Sequence, residues 1–159
     1  MVTNVGNQTK FIDAIKELIE LDYDAVDTYK LAIEKLKNLE YKDKFYEFKG
    51  DHNQHIKQLS AFLARNNEIA PTEPDKTKDL LMKAKVEGAS FIGDKDILKA
   101  MLSNEEDTVT AYERMNKRVK ESSDQKIAKI IADGWEDEKR HKNWIQNELE
   151  KLKHSGELS

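Results

Sequence analysis

Four stretches of this chain carry apolar residues at helical spacing, and in each the apolar stripe breaks near its middle at ionisable side chains. The first runs from about residue 7 to 39, with Ile15, Leu18, Ala25, Tyr29, Ala32 and Leu36 on one stripe. The second covers about 42–66 with Phe45, Phe48, Leu59 and Phe62. The third covers about 95–120 with Leu98, Met101, Thr108, Tyr112, Met115 and Val119, and the fourth about 123–153 with Ile127, Ile131, Ile145 and Leu149. Alternating steps of three and four trace the buried seam of a bundle helix. Followed through the breaks, the seams pass through Asp22, through His52 and His55, through Glu105, and through Glu138 and His141. Antiparallel helices of similar length align their midpoints, so these six side chains are expected to meet in one layer.

The links at 38–43 and 121–125 are short, which makes antiparallel neighbours of the helices they join. The middle connection, 67–94, holds both prolines and then "KDLLMKAKVEGASFIGDK", a short helix ending near Gly88 or an apolar strap. Bundle helices of this length span ~40 Å at 1.5 Å per residue. The connection can cover that distance, so the third helix could start at either end. The expected fold is all-α: a single-domain four-helix bundle over 1–159 with one long crossover between the second and third helices. A charged fraction of 36% beside 38% apolar residues, with only six glycines, suits amphipathic helices rather than a turn-rich sheet protein. The tail "HSGELS" is expected to fray.

The net charge of −4 argues against a nucleic-acid partner, which needs a basic face. The absence of cysteine excludes disulfides, thiol catalysis, iron–sulfur clusters and a rubredoxin-type iron site, and suits a reducing compartment. With no basic, apolar leader and no stretch of transmembrane length, a cytoplasmic location away from membranes is expected. Nucleophile elbows, phosphate-binding glycine loops and zinc-finger spacings are missing.

Three buried carboxylates without partners would each cost several kcal/mol. Protons or histidines could neutralise them, but divalent ions do so better, because carboxylate oxygen and imidazole nitrogen suit iron, manganese and zinc. Glu138 and His141, at i and i+3, lie on one helix face and can grip one ion together. An internal repeat supports the pairing. "LDYDAVDTY" (21–29) aligns with "NEEDTVTAY" (104–112), matching Asp22 to Glu105 and Tyr29 to Tyr112. "GDHNQH" (50–55) aligns with "EDEKRH" (136–141), matching His52 to Glu138 and His55 to His141.

This pattern resembles the ferritin-like di-iron carboxylate bundles, and more narrowly the small rubrerythrin-like domains, over about residues 10–150. Their rule is a carboxylate on one helix and Glu-x-x-His on the next, used twice. Glu105, Glu138 and His141 match outright. The first half departs from the rule: Asp22 replaces glutamate, and His52 stands where glutamate would bridge two metals. The resemblance implies two divalent ions, iron first and manganese or zinc next, held by Asp22, His52, His55, Glu105, Glu138 and His141. It also implies redox activity toward oxygen or peroxide, fed by a separate electron-donor protein. The two substitutions put the ordinary ferroxidase reaction in question and leave a single ion in the second half as an alternative.

A different class of function stays open: a structural or partner-binding bundle whose polar layer fixes helix register, with the strap "LLMKAKV" as a docking or homodimer surface. Tyr29 and Tyr112 are either hydrogen-bond donors to the ligand carboxylates or core tyrosines. Gly134 makes room for a ligand or, better, for close packing. Asp51, Glu106 and Asp137 flank the seam and read as solvated, with Asp51 or Glu106 reaching a metal only if its helix is rotated.

Overall fold

The computed structural model describes residues 3–90 and 93–156, of which 77–82, 90 and 156 are described by their backbone alone. Its helices are α1 (Phe11–Lys35), α2 (Leu39–Arg65), α3 (Lys76–Ser90), α4 (Asp94–Asn116) and α5 (Lys126–Gly156), with a 3-10 turn at Val119–Glu121. The expected all-α bundle with one long crossover is what forms.

The helix ends fall where side chains compete for the backbone. α1 starts at Phe11 rather than near residue 7, because the segment before it folds back over the end of α4. Asn7 N–H donates to Asn4 O at 3.1 Å, and Gly6 takes a φ of 96°. A Cβ on Gly6 would run into the Arg114 side chain, so glycine is required there for two reasons. Arg114 and Arg118 donate to the carbonyls of Val5 (3.1 Å) and Gly6 (2.7 Å). At its other end α1 stops at Lys35, Leu36 turns extended, and Asn38 caps α2 by accepting from Tyr41 N–H at 3.1 Å. α4 ends at Asn116, four residues short of expectation, where the 3-10 turn is held by Arg118 on Glu121 at 2.7 Å. Asp124 accepts from Lys126 N–H at 3.1 Å as α5 begins. α5 continues through Gly156, taking in part of the tail expected to fray, and residues 157–159 lie outside those described.

Asp94, opening α4, accepts from the N–H groups of Lys37 (2.9 Å) and Asn38 (2.8 Å), while the end of α4 meets the start of α1. Those two helices are therefore antiparallel neighbours. So are α2 and α5, since Arg65 at the end of α2 binds Asp124 before α5, and Tyr41 at the start of α2 packs on Trp144. α4 thus begins at the end opposite to where α2 stops, and the crossover travels the length of the bundle. α3 makes that journey against α1 and α4, with Val86 buried, Lys83 3.8 Å from Asp27 and Lys85 donating to Ser103 at 3.1 Å. The side chains of Leu80, Leu81 and Met82 in the expected strap lie outside the described residues.

Burial is divided into two apolar cores. One gathers Phe11, Ile15, Leu18, Leu59, Phe62, Met115, Ile127 and Ile131. The other gathers Leu36, Tyr41, Phe45, Phe48, Val86, Leu98, Met101 and Ile145 at the opposite end. Each fully buried large side chain contributes roughly 1.5–3 kcal/mol, and together these offset the cost of what lies between them. Among the described residues no helix is long and apolar enough to cross a membrane.

Candidate metal centre

Between the two cores lies a layer of ionisable side chains. Asp22, His52, His55, Glu105, Glu138 and His141 are all 3% exposed or less, so water screens none of them. Each sits near the middle of its helix, where the seam periodicity placed it, and the four antiparallel helices bring the six together.

Their donor atoms form two groups of four. Asp22, His52, His55 and Glu138 make the first tetrad, and His52, Glu105, Glu138 and His141 the second. In the first, Asp22 Oδ1 lies 2.8 Å from His52 Nδ1 and 3.4 Å from His55 Nδ1. Glu138 Oε1 closes the ring at 3.3 and 3.2 Å from the same two nitrogens. In the second, His52 Nε2 is 3.4 Å from Glu105 Oε1, and His141 Nδ1 lies 3.6 and 3.5 Å from Glu105 Oε2 and Glu138 Oε2.

The fit to metal ions can be judged from these atoms. Bonds of about 2.0–2.2 Å put the ligand atoms of one ion roughly 3–4.4 Å apart, and the donors of each tetrad lie within 4.8 Å of one another. Glu138 Oε1 and His141 Nδ1 are buried and, among the described residues, make no hydrogen bond, only ion-pair contacts of 3.2–3.6 Å. Buried polar atoms are seldom left so unless something else engages them. The two tetrads are positioned to hold divalent ions, in a geometry consistent with a dinuclear centre.

Around the donors runs a set of orienting hydrogen bonds, and those of the two tyrosines and two of the histidines cross from one helical hairpin to the other. Tyr29 O–H donates to Glu105 Oε1 at 2.5 Å, and Tyr112 O–H donates to Asp22 Oδ2 at 2.6 Å. His55 Nε2 donates to Asp137 Oδ2 and His141 Nε2 to Asp51 Oδ2, both at 2.8 Å. These bonds fix both rings with Nδ1 inward, as outer carboxylates do for metal-binding histidines. Arg140 ties the two aspartates together, at 2.7 Å to Asp51 and 3.2 Å to Asp137. Thr108 Oγ1 lies 3.1 Å from Glu105 Oε2 and 3.0 Å from Glu138 Oε2, orienting both.

The sequence reading missed Asp51 and Asp137, taken there as solvated. Their signal was nonetheless present: they occupy the same place in the two aligned segments, just before His52 and Glu138. Thr108 was assigned to the seam without a polar role. Gly134 is explained by packing, since a Cβ there would strike the Tyr112 ring on its way to Asp22. Glu106 joins neither tetrad.

Burial alone would lower each histidine pKa, but the surrounding carboxylates outweigh it. Glu138, Asp22 and Glu105 raise His52 to about 9. Asp51, Glu105 and Glu138 raise His141 to about 11, and Asp137, Asp22 and Glu138 hold His55 well above the ordinary value. Burial pushes Asp22 and Glu105 up, yet the histidine contacts win and hold both carboxyls below their usual range. Without metal, the three histidines and the Asp22 and Glu105 carboxyls favour one another's charged forms.

Comparison with known proteins agrees with this architecture. Residues 10–118 match the family described as a domain of unknown function, DUF2383, and residues 96–159 match the rubrerythrin family. No curated protein matches the chain. It belongs to the DUF2383 family and has a ferritin-like, rubrerythrin-like domain architecture.

Proposed function

We propose that this DUF2383-family chain is a single-domain metalloprotein that holds two divalent ions inside its bundle, iron by preference, with manganese or zinc suited to the same donors. The observation that carries this reading is the pair of buried tetrads sharing His52 and Glu138, in which Glu138 Oε1 and His141 Nδ1 make no hydrogen bond among the described residues. Asp22 and His55 serve the first ion alone, Glu105 and His141 the second. Bound iron would supply one-electron redox chemistry toward peroxide or oxygen. The chain's own residues do the rest. The two apolar cores exclude water, Asp51 and Asp137 keep the histidine rings aimed, and Tyr29 and Tyr112 hold the carboxylates and stand ready as proton donors. These 159 residues hold no cysteine and hence no cysteine-ligated redox group, so the reading calls for an electron donor outside them. The same absence suits the reducing cytoplasm.

The test is metal content per chain after anaerobic Fe(II) or Mn(II) loading, beside a His55→Ala, His141→Ala double variant. Two ions in the wild type, lost in the variant, are expected. Fe(II) oxidation no faster than in a Glu138→Ala, His141→Ala variant would remove the redox part of the proposal.

One observation favours a second reading, a metal-free polar layer that sets helix register. The three raised histidines already hold the Asp22 and Glu105 carboxyls below their usual range without any ion. Wild-type protein that retains no metal after loading would establish that reading instead.

A further inference from the structure

His52 differs from the other two histidines of the layer in what its ring faces. His55 and His141 each give Nε2 to an aspartate outside the donor set and aim Nδ1 alone inward. Both nitrogens of His52 point into the layer. Nδ1 lies 2.8 Å from Asp22 Oδ1 and 3.3 Å from Glu138 Oε1, within the first tetrad. Nε2 lies 3.4 Å from Glu105 Oε1, within the second. Its counterpart in the repeat, Glu138, divides its oxygens in the same way. Oε1 faces His52 and His55, while Oε2 faces His141 and Thr108 at 3.5 and 3.0 Å.

We propose that His52 bridges the two ions, one ring nitrogen to each, so that they are held across an imidazole rather than around a shared oxygen atom. The inference rests on the dinuclear reading above. Charge supports it. Two divalent ions bring four positive charges, and Asp22, Glu105 and Glu138 supply three negative ones. A neutral imidazole has one lone pair and one N–H. A ring bound through both nitrogens has released that proton to solvent and carries the fourth negative charge, so no added anion is needed. Spacing follows from covalent geometry. The two ring nitrogens and two metal–nitrogen bonds of about 2.0–2.1 Å put the ions near ~6 Å apart, against about 3.5–4 Å in common two-metal sites. The histidine at this position therefore sets which chemistry the pair can share.

The experiment is anomalous diffraction from crystals of the full chain loaded with Zn(II), for the wild type and for His52→Glu. The wild type is expected to show two peaks roughly 6 Å apart on opposite sides of the His52 ring, each bonded to one nitrogen. In His52→Glu the peaks are expected to draw together to about 4 Å. Two wild-type peaks already at that shorter distance, with His52 on one of them alone, would overturn the bridge and leave the dinuclear centre standing. Equal separations in the two proteins would also overturn it. A single wild-type peak, or none, would overturn both proposals.

Discussion

The α1–α2 hairpin and the α4–α5 hairpin build the same site from unequal parts. Their outer residues agree position by position: Tyr29 with Tyr112, Asp51 with Asp137, His55 with His141. Each pair makes the same bond across to the other hairpin, at nearly the same length. The inner residues do not agree. Asp22 faces Glu105, His52 faces Glu138, and Ala25 stands where Thr108 holds two carboxylates. Packing differs too, for the repeat pairs Gly134 with Phe48. Tyr112 passes over the glycine, whereas Phe48 stacks on His141 with ring centroids 4.1 Å apart. The frame that aims the donors is symmetric while the donors match only at His55 and His141, so the two half-sites should differ in affinity while sharing one architecture.

The largest expected effect comes from removing what the halves share. Glu138→Ala should lose both ions, whereas Asp22→Ala should lose only the first and Glu105→Ala only the second, read as metal content after dialysis. Loss of both ions from either single-half variant would mean that the halves are not separable.

Next come the aiming aspartates. Asp137→Asn should weaken the first half-site through His55, and Asp51→Asn the second through His141, each by about 10–100-fold. Chelator competition measures both, and identical effects on both ions would break the assignment of one aspartate to each half.

Smaller still is the packing difference. Gly134→Ala should destabilise the metal-free protein by about 1–3 kcal/mol, because the Tyr112 ring must move. Gly50→Ala, where a Cβ meets nothing within 4 Å, should leave stability unchanged or raise it by up to about 1 kcal/mol. Urea unfolding of the two variants checks the contrast.

The gentlest probe is pH. The histidine pKa values are raised in the folded chain, to about 9 for His52 and about 11 for His141. Their contribution to the metal-free fold is then complete below the unfolded value near 6.5 and is lost as pH climbs through 9 toward 11. Metal must displace those protons, so apparent affinity should rise over the same range. Urea midpoints of the metal-free protein at pH 7 and 10, with metal titrations at both, test the two directions. A metal-free midpoint that rises with pH would contradict the first.

Much of this was legible in the sequence because it is periodic. Seam spacing and helix midpoints suffice to put six ionisable residues in one layer, and the repeat pairs the two halves. What escaped was set by long-range contact. The start of α1 at Phe11 depends on Gly6 meeting Arg114 from the far end of α4. The direction of α4 depends on Asp94 binding backbone that precedes it by more than fifty residues. Asp51 and Asp137 lie beside the seam, where periodicity reads solvent, and only docking of α2 on α5 turns them toward histidines. Two helix starts were missed for a local reason instead: Asn38 and Asp124, placed in the links by the sequence reading, accept from Tyr41 and Lys126 N–H and set where α2 and α5 begin.

The crossed bonds also say something about assembly. Tyr29, Tyr112, His55 and His141 all find their partners on the opposite hairpin, so neither hairpin can orient a half-site of its own. Severing the chain in the connection between Arg65 and Lys76 would leave two fragments, each presenting a polar stripe that only the other can satisfy. Metal capture would then change from a property of one molecule into a meeting of two, and would depend on their concentration.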